Sequence, residues 1–213
     1  MTVDIGSTGG YRTLLEYVSA RGVLQTIRGQ QYLAIVPDTF YSEYKDPAFF
    51  QCFRQFNEYL GKARVDYIQS NFKAKALRHF LRTMEDEPCS RQEIFYKPDW
   101  WWDGASGHVN CVLAYQPMIQ DERMDLHVFM RSSDLWNAFP FDWYAQNEHL
   151  RFFQGLYNAK IKRGEISTIQ DVYKAATDPK GISAGRVYWH TSNLHVRQAD
   201  LEAILDFMKE FRF

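Results

Sequence analysis

An arginine, a cysteine, a second arginine and an aspartate stand in the middle of this chain, each in a segment of mixed polar and apolar residues. Arg91 and Cys111 stand 20 residues apart, Cys111 and Arg131 another 20, and Arg131 and Asp142 stand 11 apart. They lie in the segments DEPCSRQEI, VNCVLAYQ and MRSSDLWNAFPFD. A thiol becomes a nucleophile when a nearby cation stabilises its charged form. A guanidinium suits a phosphate because it forks two charge-assisted hydrogen bonds. The stretch 130–143 is thus either a mixed surface loop or one wall of a site for an anionic, hydrogen-bonding ligand. Taken singly, each residue has a plainer reading. Cys52 sits on the apolar stripe of a helix, Cys89 in a turn and Cys111 on a strand, where a buried thiol is usually inert. Arg91 and Arg131 alone read as surface ion-pair residues, and His195 as a surface histidine.

The elements that must hold these residues follow from periodicity. Residues 10–20 have helical spacing at Leu14, Leu15 and Val18, and 23–36 are β-rich with Gly29 as a turn or bulge. Helices are expected over 48–61 and over 69–85, the latter with Leu77, Phe80, Leu81 and Met84 inward. Strands are expected at 91–97, 108–118 and 124–131, the last two joined as a hairpin by QDER. A long amphipathic helix runs from 142 to about 163, and 164–184 is polar with one short helix. A strand over 185–191 precedes a last helix, 197–211, with Leu201, Ile204, Leu205, Met208 and Phe211 inward. This order predicts an α+β fold, with helices on one face of a mixed or antiparallel sheet. Trp100, Trp101 and Trp102 cannot share one face of an element, and read as core packing or as a stacking surface for a planar ring.

Bulk properties narrow the function. The chain has 213 residues, 46% of them hydrophobic and 16% aromatic, enough for a single domain with a sizeable core. A net charge of −1 argues against a nucleic-acid polymer as partner. The three cysteines are far apart, which fits a reducing compartment, and no spacing suggests a metal site. The N-terminus lacks a signal-peptide pattern and no apolar run is long enough for a membrane span, so a cytoplasmic protein is expected.

Together the three segments resemble the thymidylate synthase family, which includes the pyrimidine-nucleotide hydroxymethylases. The family has Ser-Arg-Arg at a strand-start turn, Pro-Cys-His with a Gln five residues on, and Gln-Arg-Ser-x-Asp leading to Leu-Pro-Phe-Asn. The separations match without a gap. Downstream, WHTSNLHVRQADL is similar to the family's Gly-Asp-x-His-x-Tyr segment. The resemblance is carried by residues 76–142 and extends more loosely to about 205. It implies that Cys111 adds to C6 of a pyrimidine, making C5 a carbon nucleophile. It implies phosphate contacts from Arg131 and Ser132, and from Arg91 across a homodimer formed through the back of the sheet. Gln116 matches a glutamine behind the cysteine, Asp134 a folate contact, and His195 a histidine near the sugar 3′-hydroxyl. Glu58 and Tyr67 are candidates for the family's proton-relay glutamate and its tyrosine, and Arg21 for its N-terminal phosphate arginine. The implied one-carbon donor is 5,10-methylenetetrahydrofolate.

The departures from the family are informative. Asn110, Val112, Met130 and Gln92 replace a proline, a histidine, a glutamine and an arginine. Arg197 replaces a tyrosine of the sugar site, which leaves ribose or deoxyribose open. About twenty extra residues lie between Asp142 and His195, and the chain stops at Phe213 without the family's C-terminal closing segment. The family's base-reading asparagine is here Asp142. Cytosine presents an acceptor at N3 and a donor at its amino group, the inverse of uracil. A protonated Asp satisfies both, and a carboxylate satisfies cytosine protonated at N3. An ionised Asp facing uracil O4 sets two acceptors against each other. Asp142 therefore implies a cytosine nucleotide. The expected activity is 5-hydroxymethylation of CMP or dCMP. A C5-methyltransferase, or a non-catalytic homodimeric nucleotide-binding paralogue, is the alternative.

Overall fold

At two places a pair of adjacent residues adopts left-handed backbone and turns the chain back on itself. Arg28 and Gly29 have φ of 52° and 79°, and Asp121 and Glu122 have 51° and 57°. Such two-residue turns match the right-handed twist of the strands they join. The computed structural model describes residues 8–36, 39–45, 74–87, 94–96, 111–163 and 168–210.

The first turn joins β1 (Val23–Ile27) to β2 (Gln30–Ile35), and the second joins β5 (Val112–Gln120) to β6 (Arg123–Met130). The remaining strands are β3 (Phe40–Glu43), β4 (Phe95–Tyr96), β7 (Ser133–Asp134), β8 (Ser183–Thr191) and β9 (Leu194–Arg197). The helices are α1 (Thr8–Arg21), α2 (Ala74–Asp86), α3 (Phe139–Arg163), α4 (Ile169–Ala175) and α5 (Leu201–Glu210), the last preceded by a 3₁₀ turn, Gln198–Asp200. The fold is α+β, but with two mixed sheets where one was expected. Five strands run in the order β3-β8-β6-β5-β4, and four in the order β1-β2-β9-β7. Each sheet has one parallel pair, β6 with β8 and β7 with β9, and is otherwise antiparallel.

The parallel pairs explain how the sheets meet. β6 and β8 lie side by side in the larger sheet. Each then crosses to the smaller one after two residues, β6 into β7 and β8 into β9. Backbone bonds hold the crossing together: Ser192 N–H donates to Met130 O (3.2 Å), Ser133 N–H to Asn193 O (2.9 Å) and Leu135 N–H to His195 O (2.9 Å). Sequence periodicity places a helix from 197, yet Arg197 ends β9 and the helix starts at Leu201. A four-residue strand whose partners are far away in sequence leaves too short a pattern to read.

One face of the larger sheet is buried under α3. Phe139 packs on Trp189 (4.9 Å between ring centroids), Phe153 on Phe95 (5.0 Å), and His149 edge-on to Tyr115 (4.9 Å). The inward residues predicted for α1, α2 and β6 are buried or packed against the core, while Leu205 of α5 is exposed. α3 is not the amphipathic helix its sequence suggests. Gln146, Asn147, Glu148 and His149 are four consecutive buried polar residues, because sheet, α2 and α4 cover the helix on several sides. Asn158 and Gln154 earn their burial by bonding the backbone of Ala175, Ala176 and Ile182. The opposite face of the sheet is half-buried and carries stacked rings: His127 on Tyr188, and His190 on both His127 and Phe129. Among the described residues, no helix is long and apolar enough to cross a membrane.

Candidate functional site

The 20-residue interval between Cys111 and Arg131 is the geometry of a hairpin. With the turn at Asp121 and Glu122 and a register shift between Val112 and Ala114, Val112 pairs with Met130, so the next residues outward on each strand are neighbours. Arg131 N–H donates to Cys111 O at 2.9 Å. The side chains follow: Arg131 Nη1 donates to Ser132 Oγ at 3.2 Å, and Ser132 Oγ lies 4.0 Å from Cys111 Sγ. The hydroxyl therefore stands between guanidinium and sulfur, accepting from one with its own hydrogen available to the other.

Asp142 is brought alongside by the turn that follows β7. Asp134 Oδ1 accepts from the backbone N–H of Trp136 (3.1 Å) and Asn137 (3.0 Å), an Asx-type turn that aims the chain into α3. Pro140 sits in the first turn of α3, where a missing N–H costs nothing. Asp142 is in the same turn, where acidic residues are favoured by the helix dipole. α1 supports this corner from below: buried Tyr11 donates to Leu135 O and packs on Phe139.

These pieces line one cleft of about 690 Å³, over the smaller sheet where β6 and β8 cross into it. Of the residues singled out by sequence, Cys111, Arg131, Ser132, Asp134, Asp142, His195 and Arg197 line it. Arg21 closes α1 and is not among the lining residues; Arg28, seven residues on in the β1–β2 turn, is. Gln116 lies opposite His127 in the β5–β6 register and is not in the lining. Glu58, Tyr67 and Arg91 lie outside the described residues, as do Cys52, Cys89, Gln92, Asn110 and the three tryptophans.

The cleft also contains residues that sequence reasoning passed over. Gln25, Ile27, Arg28, Tyr32 and Ala34 come from the β1–β2 hairpin, and Asn193 from the β8–β9 crossing. The signal for Arg28 was available: Arg-Gly between two β-rich runs marks a tight turn, and an arginine is an unusual residue for its left-handed first position. Tyr32 enters because β2 pairs with β9, with Tyr32 opposite Arg197.

His195 is held on two sides within the cleft. Its Nδ1 is 2.9 Å from Asn193 Oδ1, and the Tyr32 ring meets it edge-on at 5.2 Å. Burial pushes the imidazole below the usual histidine range; Asp134 opposes this, and Arg131 and Arg197 add to it. The ring is therefore neutral near pH 7. Arg197 Nε is 3.5 Å from Asp134 Oδ2, which also accepts from Asn137 Nδ2 at 3.2 Å. Among the described residues no group of three or more His, Cys, Asp or Glu is gathered as a metal site. No protein-family model matches the chain, and no curated protein matches it.

Proposed function

We propose that the cleft binds a cytosine nucleotide and activates its C5 for one-carbon transfer, in the manner of the pyrimidine-nucleotide hydroxymethylases. The observation that carries this reading is the convergence of Cys111, Ser132, Arg131 and Asp142 on one cleft from three different elements. A surface loop has no reason to gather a thiol, a hydroxyl, a cation and a carboxylate in this way.

In this reading Arg131 and Arg28 hold the 5′-phosphate. Arg28 makes no ion pair with any described residue, and its left-handed backbone is a strained position that a ligand contact repays. Asp142 reads the N3 and amino edge of cytosine. Cys111 Sγ adds to C6, the C5–C6 π electrons move to C5, and C5 takes up an electrophile or a proton. When that adduct collapses, the C5 proton leaves to a base and the sulfur is expelled from C6. Ser132 Oγ–H faces the sulfur, and so stabilises the thiolate before attack and after expulsion. The back of the larger sheet, with its stacked rings, is the surface for the homodimer.

A folate ring offers its donors to a carboxylate, and Asp134 is the residue expected to meet it. Both oxygens of Asp134 are already occupied by Trp136, Asn137 and Arg197. Asp134 therefore fits a structural role in the turn better than a folate contact, and the donor is assigned only as a formaldehyde-level one-carbon unit. C5 proton exchange needs no donor and isolates the first chemical steps. CMP or dCMP carrying tritium at C5 should lose it to water with the wild-type protein and not with Cys111→Ala. Retention of the label by the wild type, or its equal loss from the variant, overturns the assignment. Product mass with methylenetetrahydrofolate supplied then separates hydroxymethylation from methylation.

A further inference from the structure

We propose that Asn193 is a positioning residue that sets the tautomer of His195, so that Nε2 presents a lone pair to a hydroxyl of the ligand. The proposal takes its ligand from the nucleotide reading above, but the tautomer itself is a property of the protein alone.

A neutral imidazole has one N–H and one lone pair, and the partner of one nitrogen decides the role of the other. Asn193 turns its amide oxygen to His195 Nδ1 at 2.9 Å, which requires the hydrogen on Nδ1. Nε2 is then an acceptor, with no hydrogen bond to any described residue. Asn193 is well held for this task. Its carbonyl accepts from Ser133 N–H at 2.9 Å and from Thr191 Oγ1 at 3.2 Å, locking the β8–β9 crossing. Tyr32 stands perpendicular to the imidazole and opposes rotation of the ring.

The surroundings keep the ring neutral. The charged groups near it are Asp134 on β7, Arg197 on its own strand and Arg131 at the β6–β7 crossing; β2 contributes the uncharged Tyr32. Burial disfavours an imidazolium first; Asp134, itself paired with Arg197, opposes this, and Arg131 and Arg197 add to it. A histidine in this state accepts a hydrogen bond from a sugar hydroxyl and cannot donate one to it. It therefore selects a ligand hydroxyl over an ether, fluorine or carbonyl at the same position.

The tautomer is read by ¹⁵N NMR of the imidazole, assigned by loss of the signal in His195→Gln. In the wild type without ligand, Nδ1 should be protonated and Nε2 not. Asn193→Ala should move the hydrogen to Nε2, and Asn193→Asp, which keeps an acceptor in place, should restore it to Nδ1 and raise the histidine's titration midpoint. Binding of CMP should weaken about tenfold when its 3′- or its 2′-hydroxyl is replaced by fluorine, which cannot donate to Nε2, the cost of one hydrogen bond. That discrimination should shrink in Asn193→Ala, where an Nε2–H can donate to hydroxyl or fluorine alike, and persist in Asn193→Asp. A wild-type ring protonated on Nε2, or a tautomer unmoved in Asn193→Ala, overturns the proposal. Should Asn193→Ala not fold, an unshifted midpoint in Asn193→Asp overturns it as well. If the tautomer behaves as stated and no nucleotide binds, the nucleotide reading fails and the positioning role of Asn193 stands.

Discussion

Replacing Asp142 by asparagine exchanges a carboxylate for a group of the same shape that can donate as well as accept. In the cleft Asp142 is partly buried in the first turn of α3, fixed by its N–H to Ala138 O at 3.0 Å. A carboxylate so placed sets an acceptor against O4 of a uracil ring, and the mismatch costs about 1–3 kcal/mol. Asparagine removes it by turning its N–H to O4, and its carbonyl takes N3–H. With cytosine the amide turns over, its N–H facing N3 and its carbonyl facing the amino group, so cytosine binding changes less. The ratio of uracil to cytosine affinity should therefore rise about 5- to 150-fold in Asp142→Asn. Titration calorimetry with CMP, dCMP, UMP and dUMP, at one pH and ionic strength, measures the ratio for both proteins. The near-isosteric change leaves the fold intact, so Tm serves only as a control. An unchanged ratio, with nucleotides still bound, would refute Asp142 as the base reader. A uniform loss across all four ligands would mean that the residue acts through the α3 turn.

Four further outcomes follow from the same structure. Arg131→Gln should weaken all four nucleotides alike by about 10- to 100-fold, and binding should lose part of its salt dependence; calorimetry at two salt concentrations checks both. Ser132→Ala should slow C5 exchange about tenfold or more at saturating nucleotide without lowering Tm, because it removes a hydrogen bond to the sulfur; an unaltered exchange rate would break the link between Ser132 and Cys111. Gly155→Ala should destabilise the protein by about 1–3 kcal/mol in urea, because a Cβ at 155 meets the carbonyl of Val172 where α4 crosses α3. The fourth concerns acid. His127 Nδ1 and His190 Nε2 are 2.9 Å apart, and burial, then the neighbouring ring, holds His127 down to about 4, while burial also lowers His190. The unfolded chain then binds protons that the folded one refuses. Stability is complete above about pH 6.5 and falls as pH drops toward about 4, by about 1–2 kcal/mol once partial exposure is allowed for. Urea midpoints across this range should slope downward in the wild type and less steeply in His127→Phe.

The sequence by itself determined what depends on neighbours along the chain. Leu14, Leu15 and Val18 repeat at helical spacing, and Met124, Leu126, Val128 and Met130 at strand spacing; both stripes are buried. The Cys111–Arg131 juxtaposition was legible to within one residue: a hairpin turning at 121–122 sets 111 opposite 132, and the register shift between Val112 and Ala114 moves the partner to Arg131. Arg131, Ser132, Asp134 and Asp142 came as a set because they lie within a dozen residues of one another. Tertiary structure alone decided how this wall is completed. Tyr32 faces Arg197, and Asn193 and His195 face β7, through pairings between strands far apart in the chain. β7 and β9 are two and four residues long, too short for a period of two to announce them. The carboxylate of Asp134 looked free to meet a ligand until the turn around it was seen to use both of its oxygens. Residues 146–149 are four consecutive polar positions of a helix expected to be amphipathic, yet sheet and helices close over all of them. Periodicity records which way a side chain points from its own element. What it points at depends on which elements arrive there, and that is decided by packing of the whole chain.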